Sequence, residues 1–327
     1  MKFGIELVPN MKAEEIASLA VSSEDNGFDF VWVTDHYNNR NVYATLATIA
    51  LRTRKVFLGP GITNTYLLHP AWTASATATI NEISQGRAVL GLGPGDLVTL
   101  GKLGVPMERP LTRIKEAVSV IKTLHSGGKA SSQFFNIKEA KLDYTAGRIP
   151  IYIGAQGEKM LRLAGEIGDG ALVNASHPRD FKVAATQIGN GMKENKPFDI
   201  VAYTCFSVDR DSEKARKAAK IVVAFIVAGS PDVIFERHKL GADAVKGVKD
   251  ALSAAFTKGA WKDVSKSVTD DMMDSFAVYG NPDQCIEKIR NLFASGVTQV
   301  VIGSPIGPDK NAAVKMIGEE IIAKVRA

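Results

Sequence analysis

The sequence predicts an α/β protein of the (β/α)8 barrel class, and three observations carry that prediction. Short β-branched or apolar runs alternate with segments of helical period from end to end, the pattern of parallel βα units. Eight runs read as strands, at 3–8, 30–34, 56–59, 88–92, 149–153, 170–174, 200–207 and 299–303. Two connections, 128–149 and 229–280, are too long for simple crossovers. Setting them aside as insertions leaves about 250 residues, the usual length of one such barrel, so the chain reads as one elaborated domain.

Taken in order, the first strand is FGIELV, apolar except for Glu6, and the helical-period segment 13–26 follows it. FVWVT and VFLG come next, then the segment 71–84 and the run AVLGL. Segment 109–124 leads to the first insertion, which lies after the fourth helix, and IPIYI resumes the alternation. Segment 159–167, the strand GALVN, segment 178–194 and the strand IVAYTCFS follow. The second insertion comes after this seventh strand, and QVVIG is the eighth. A doubly wound dinucleotide fold would need G-x-G-x-x-G after its first strand. The chain lacks that motif: the glycines of GLGPGD and GPGITN have other spacings, and no phosphate-loop motif of the G-x-x-x-x-G-K-[ST] type occurs.

Composition excludes several classes. With 45% hydrophobic and 23% charged residues among 327, the chain can bury a sizeable core and is neither disordered nor fibrous. The longest purely apolar run, 221–228, falls far short of the roughly 20 residues of a spanning helix. The N-terminus, with Glu6 inside its apolar stretch, does not read as a signal peptide. Cys205 and Cys285 are far apart and suit buried thiols in a reducing compartment, so a cytoplasmic protein without a metal centre is expected. The net charge of +5 comes without a basic block, which excludes nucleic acid as a partner while leaving room for a polyanionic small ligand.

In a barrel the chemistry sits at the C-terminal ends of the strands. Glu6 stands there on the first strand, and a carboxylate in an apolar run is either a general acid or a salt-bridge partner. Asp96, after the fourth strand, is a second mouth carboxylate or a helix cap, the two readings being even. Asp35 and His36 end the second strand without a Ser, Cys or second His partner, so they read as cofactor-positioning groups, with an Asx turn as the alternative for Asp35. The stretch Gly154, Ala155, Gln156 and Gly157 precedes a helix and can hold a phosphate or simply close a loop. Trp32, Trp72 and Trp261 read as core or rim.

Seven stretches in order, FGIELVPN, TDHYNNRNVY, GPGITN, GLGPGD, IGAQG, VAYTC and GSPIGPDK, together span nearly the whole chain. In these the chain resembles the coenzyme F420-dependent methylenetetrahydromethanopterin reductases, methanogen enzymes of the bacterial luciferase-like superfamily. The resemblance implies hydride transfer from reduced F420, a dissociable cosubstrate, to the methylene carbon of methylenetetrahydromethanopterin. It implies Glu6 as proton donor, with Asp96 positioning the substrate or relaying the proton, and no metal. It also implies a non-prolyl cis bond between Gly61 and Ile62 behind the deazaflavin. Asp35, His36 and Asn64 would contact ring or ribityl chain, with Gly93 beside them, and Gly154 to Gly157 with Asn174 would take the phosphate region. Self-association is expected by analogy. Two departures stand out, Thr65 where the family has Pro and Leu97 where it has Lys. Two alternatives stay open: another luciferase-like enzyme, either an F420-dependent dehydrogenase with His36 as base or an FMN monooxygenase, and a non-catalytic cofactor-binding barrel.

Overall fold

A computed structural model describes residues 1–194 and 196–327. The chain packs as two compact units, one of Lys2–Asn174 with Val183–Val201, the other of Met1–Met1, Ala175–Lys182 and Ala202–Ala327.

The first unit opens with β1 (Lys2–Leu7), α1 (Ala13–Asp25), β2 (Phe30–Val33), α2 (Val42–Arg52), β3 (Phe57–Pro60) and β4 (Thr63–Asn64). It continues through α3 (Pro70–Ile83), β5 (Leu90–Gly93), α4 (Leu97–Lys102), α5 (Pro110–His125), β6 (Ala130–Ser132) and β7 (Ile137–Ala140). Then come β8 (Ile151–Gly154), α6 (Glu158–Ile167), β9 (Gly170–Val173) and most of α7 (Pro178–Gly191). Within its sheet β1 pairs with β2, β2 with β3, β4 with β5, β5 with β8 and β8 with β9, all in parallel, and a bridge from Leu58 to Ala88 joins β3 to the approach of β5. Parallel pairing sends every C-terminal end to the same side. The sequence FVWV of β2 is buried at all four positions because a parallel strand is covered on both faces.

Local signals set the helix starts. Asn41 caps α2 by accepting from the amides of Tyr43 and Ala44. His69 caps α3 ahead of Pro70, whose ring suits the first helical turn. At the opposite end of the sheet the Glu24 carboxylate gathers three successive amides, from Arg54, Lys55 and Val56, tying α1 to the approach of β3.

The second unit holds the rest of β10 (Asp199–Val208), then α8 (Ser212–Gly229), α9 (Asp232–His238), α10 (Ala242–Lys258), α11 (Trp261–Ser267) and α12 (Asp270–Phe276). β11 (Ala277–Gly280), α13 (Pro282–Ala294), β12 (Gln299–Ile306), α14 (Lys310–Met316), a π-helical turn at 317–322 and α15 (Ala323–Arg326) complete it. β10 pairs with β12 and, over Cys205 to Val208, with β11. Val223, Val248, Leu252, Met272 and Met273 fill the core between α8, α10 and α12. Buried beside that core, Asp180 at the start of α7 accepts from Arg237 at 2.9 Å and pairs with His238 Nε2 at 2.8 Å. The His238 ring also meets those of His177 and Phe276.

All eight expected strands are present, most with ends displaced by one or two residues, and the last runs on to Ile306. The segment 128–149 contains the antiparallel pair β6–β7, and 229–280 contains α9 to α12 and β11.

Candidate active site

Glu6 lies on β1 in register with Trp32 of β2, so both side chains take the same face of the sheet. The Trp32 ring on that face is fully buried and meets Tyr152 of β8 edge-on, centroids 5.2 Å apart, although β2 and β8 are not sheet neighbours. The face therefore curves around an aromatic core. Glu6 is half-buried and stands one residue short of the strand end, where that core gives way to the rim.

Beyond β2 the Asp35 carboxylate accepts from the Thr63 hydroxyl of β4 at 2.7 Å. Burial raises its pKa above the ordinary carboxylate value, opposed by that hydrogen bond and by the neighbouring His36. His36 itself is exposed. Behind the pair stands Tyr43 of α2, whose phenol is pushed upward by burial and then by the Asp35 charge, with the Thr63, Thr77 and Thr73 hydroxyls acting the other way. The Tyr43 hydroxyl is sealed from solvent and faces these hydroxyls without reaching hydrogen-bond geometry with any partner among the described residues. The neighbouring Thr34 hydroxyl is buried in the same way.

The Gly61–Ile62 peptide is cis, as the resemblance implies. Ile62, half-buried, packs onto bare backbone: a Cβ on Gly93 would lie 2.3 Å from its Cδ1, one on Gly154 3.0 Å from that atom, and one on Gly91 3.2 Å from its Cγ2. Two strands, β5 and β8, thus give up side chains at three positions to seat one isoleucine, and the result is a smooth apolar ledge beside the Asp35 carboxylate. A ledge of this kind fits one face of a flat ring system, with Asp35 as an acceptor at its margin.

The remaining expected residues divide. Asn64 uses its carboxamide oxygen on the amides of Tyr66 and Leu67, holding the turn after β4, while its amide lies against Gly95, which has φ +77°. Asp96 is exposed and caps α4, accepting from the Thr99 amide at 2.7 Å. Gln156 donates to the Asn174 carbonyl at 3.2 Å, which brings the loops after β8 and β9 together. Ala155 is buried there, and Gly157 begins α6 without a side-chain cap. Thr63 and Tyr43 were not among the expected site residues, since a hydroxyl carries no signal of its own; the nearest clue is the pair Thr73 and Thr77, one turn apart on the buried face of α3.

One further feature supports the turn after β4. The Arg113 guanidinium donates to the Thr65 carbonyl and lies 4.4 Å from the Tyr66 ring centroid, with Phe134 at 5.2 Å and Phe135 at 5.3 Å. Planar, weakly hydrated guanidinium suits such a setting better than an ammonium would.

Parallel βα units with an isoleucine ledge and two carboxylates at the strand ends define a barrel of the luciferase-like class, and the model of luciferase-like monooxygenases matches residues 1–299. The chain is 56% identical to a 5,10-methylenetetrahydromethanopterin reductase of Archaeoglobus fulgidus, over 100% of both chains. The solved coenzyme F420-dependent tetrahydromethanopterin reductase of Methanopyrus kandleri is 44% identical and superposes with a TM-score of 0.92 over 99% of each chain. An F420-dependent glucose-6-phosphate dehydrogenase of Nakamurella multipartita is more distant, 29% identical over 96% of this chain and 93% of that one. The chain belongs to the luciferase-like family of (β/α)8 barrels and, within it, to the family of 5,10-methylenetetrahydromethanopterin reductases.

Proposed function

We propose that the chain transfers a hydride from reduced coenzyme F420 to 5,10-methylenetetrahydromethanopterin, reversibly, giving the 5-methyl derivative in methanogenesis from CO2. The observation that carries this reading is the Ile62 ledge with Asp35 at its margin and Glu6 at the end of the adjacent strand.

Bound reduced F420 supplies the hydride. Ile62 supports one face of its ring, and Asp35, His36 and Asn64 border the ring and ribityl chain. Gly93 keeps the ledge low, while Gly154, Ala155, Gln156, Gly157 and Asn174 surround the phosphate end, where the uncapped start of α6 offers amides to an anion. The substrate's imidazolidine accepts a hydride poorly until the bond from the methylene carbon to N10 breaks. Glu6 gives its proton to N10, the ring opens to an iminium, and the new C–H bond forms at the methylene carbon. Asp96, at the exposed start of α4, orients the pterin or passes the proton. No step needs a metal ion.

On the same reading the chain is one barrel domain elaborated at 128–149 and 229–280, and works in the cytoplasm as a homo-oligomer on two dissociable small molecules. No helix among the described residues is long and apolar enough to cross a membrane. The test is an anaerobic assay with reduced F420 and methylenetetrahydromethanopterin, following the return of oxidised deazaflavin absorbance. Glu6→Gln lowers turnover by roughly 100-fold or more, the contribution of a positioned general acid. Intact F420 binding without substrate-dependent oxidation in the unaltered protein would favour a dehydrogenase instead.

A further inference from the structure

We propose that Thr63 is a positioning residue that sets the orientation of the Asp35 carboxylate toward its ligand. The Thr63 hydroxyl donates to Asp35 Oδ2 at 2.7 Å. A threonine hydroxyl has one proton, so with that proton on Asp35 it can only accept from any further neighbour. The Tyr43 phenol behind it is buried and reaches no hydrogen-bond partner among the described residues. Thr63 is fully buried as well, so no water competes for either position. With Oδ2 held by Thr63, Oδ1 is the oxygen left to meet an N–H or O–H donor of the ligand.

The groups around the carboxylate come from three elements. His36 adjoins it at the end of β2, Thr63 faces it from β4, and Tyr43 approaches from α2 with Thr73 and Thr77 of α3 against the phenol. Tyr43 therefore acts through its ring, and its hydroxyl, being unpartnered, is a small burden.

This inference rests on Asp35 as a ligand contact, and the experiment separates the two. F420 binding is titrated by its own fluorescence from pH 4.5 to 8 in the unaltered protein and in Thr63→Val, Thr63→Ser, Tyr43→Phe and Asp35→Asn. Thr63→Val weakens binding by about tenfold, the scale of one hydrogen bond to a charged group, and moves the acid limit of binding to higher pH. Thr63→Ser restores the unaltered curve. Tyr43→Phe leaves affinity and acid limit unchanged, with a thermal midpoint equal to or above that of the unaltered protein. A curve for Thr63→Val that coincides with the unaltered protein, while Asp35→Asn loses affinity, overturns the positioning role and leaves the site reading intact. Unchanged affinity in Asp35→Asn overturns both.

Discussion

Replacing Gly93 by Ala separates the shaping of the ledge from the stability of the fold. The new Cβ would lie 2.3 Å from Ile62 Cδ1, and carbon atoms settle at about 3.5 Å or more, so the methyl group must retreat by about 1 Å. Gly154 and Gly91 already touch Ile62 on its other sides, which leaves only the direction out of the strand ends. Because the obstacle is the tip of a half-buried side chain, the fold loses only about 1 to 2 kcal/mol, a typical overpacking cost. The ledge itself is displaced into the ligand, and F420 affinity falls by roughly 30-fold, as misplacements near 1 Å do in a tight site. Gly59→Ala is the control, since its Cβ would meet the Val89 carbonyl oxygen at 1.9 Å, an obstacle on backbone that cannot swing aside. That variant loses more than about 3 kcal/mol of stability. Calorimetry gives the midpoints and fluorescence titration the affinities. Gly93→Ala binding F420 within threefold of the unaltered protein, or melting as early as Gly59→Ala, would refute the reasoning.

Two further substitutions test the electrostatics. Burial raises the Asp35 pKa in the folded chain, so its ionised form costs stability once the pH exceeds the unfolded value of about 4. Asp35→Asn accordingly raises the melting midpoint at pH 7 while weakening F420 binding, and the midpoint difference shrinks toward pH 4; a lower midpoint at pH 7 would contradict this. Burial acts on Asp180 in the same upward sense, yet hydrogen bonds and charge from His238 and Arg237 hold its carboxyl below the ordinary range. Asp180→Asn therefore costs about 3 kcal/mol near neutrality by leaving buried partners without their counter-charge. The stabilisation is complete above about pH 4 and is lost as the pH falls through the depressed value, so urea midpoints of the two proteins converge in acid.

The strands were legible because each buried parallel strand needs a continuous apolar run, and FVWV or QVVI leaves little else to read. β11 was hidden because AVYG follows α12 directly, without a turn residue between them. The pair β6–β7 was hidden because SSQFFNIKEA has neither strict alternation nor a two-residue Gly turn. At the site, carboxylates at strand ends could be read directly, and so could both meanings of Asp96; the structure supplies the cap. What could not be read is partnership over distance. Thr63 lies 28 residues from Asp35, and His238 lies 58 from Asp180, so of two histidines that look scattered in the sequence, His238 binds a buried carboxylate and His177 packs ring to ring against His238.

The Arg113 setting has a consequence for how such barrels diversify. One guanidinium from α5 holds the Thr65 carbonyl of the turn after β4 and is walled by Phe134 and Phe135 from the link between β6 and β7. Loop, helix and inserted hairpin are therefore a single exchangeable cassette. A Thr65 turn moved alone into a related barrel would arrive without its anchor, and this part of the rim should change by whole sets of residues rather than by single positions.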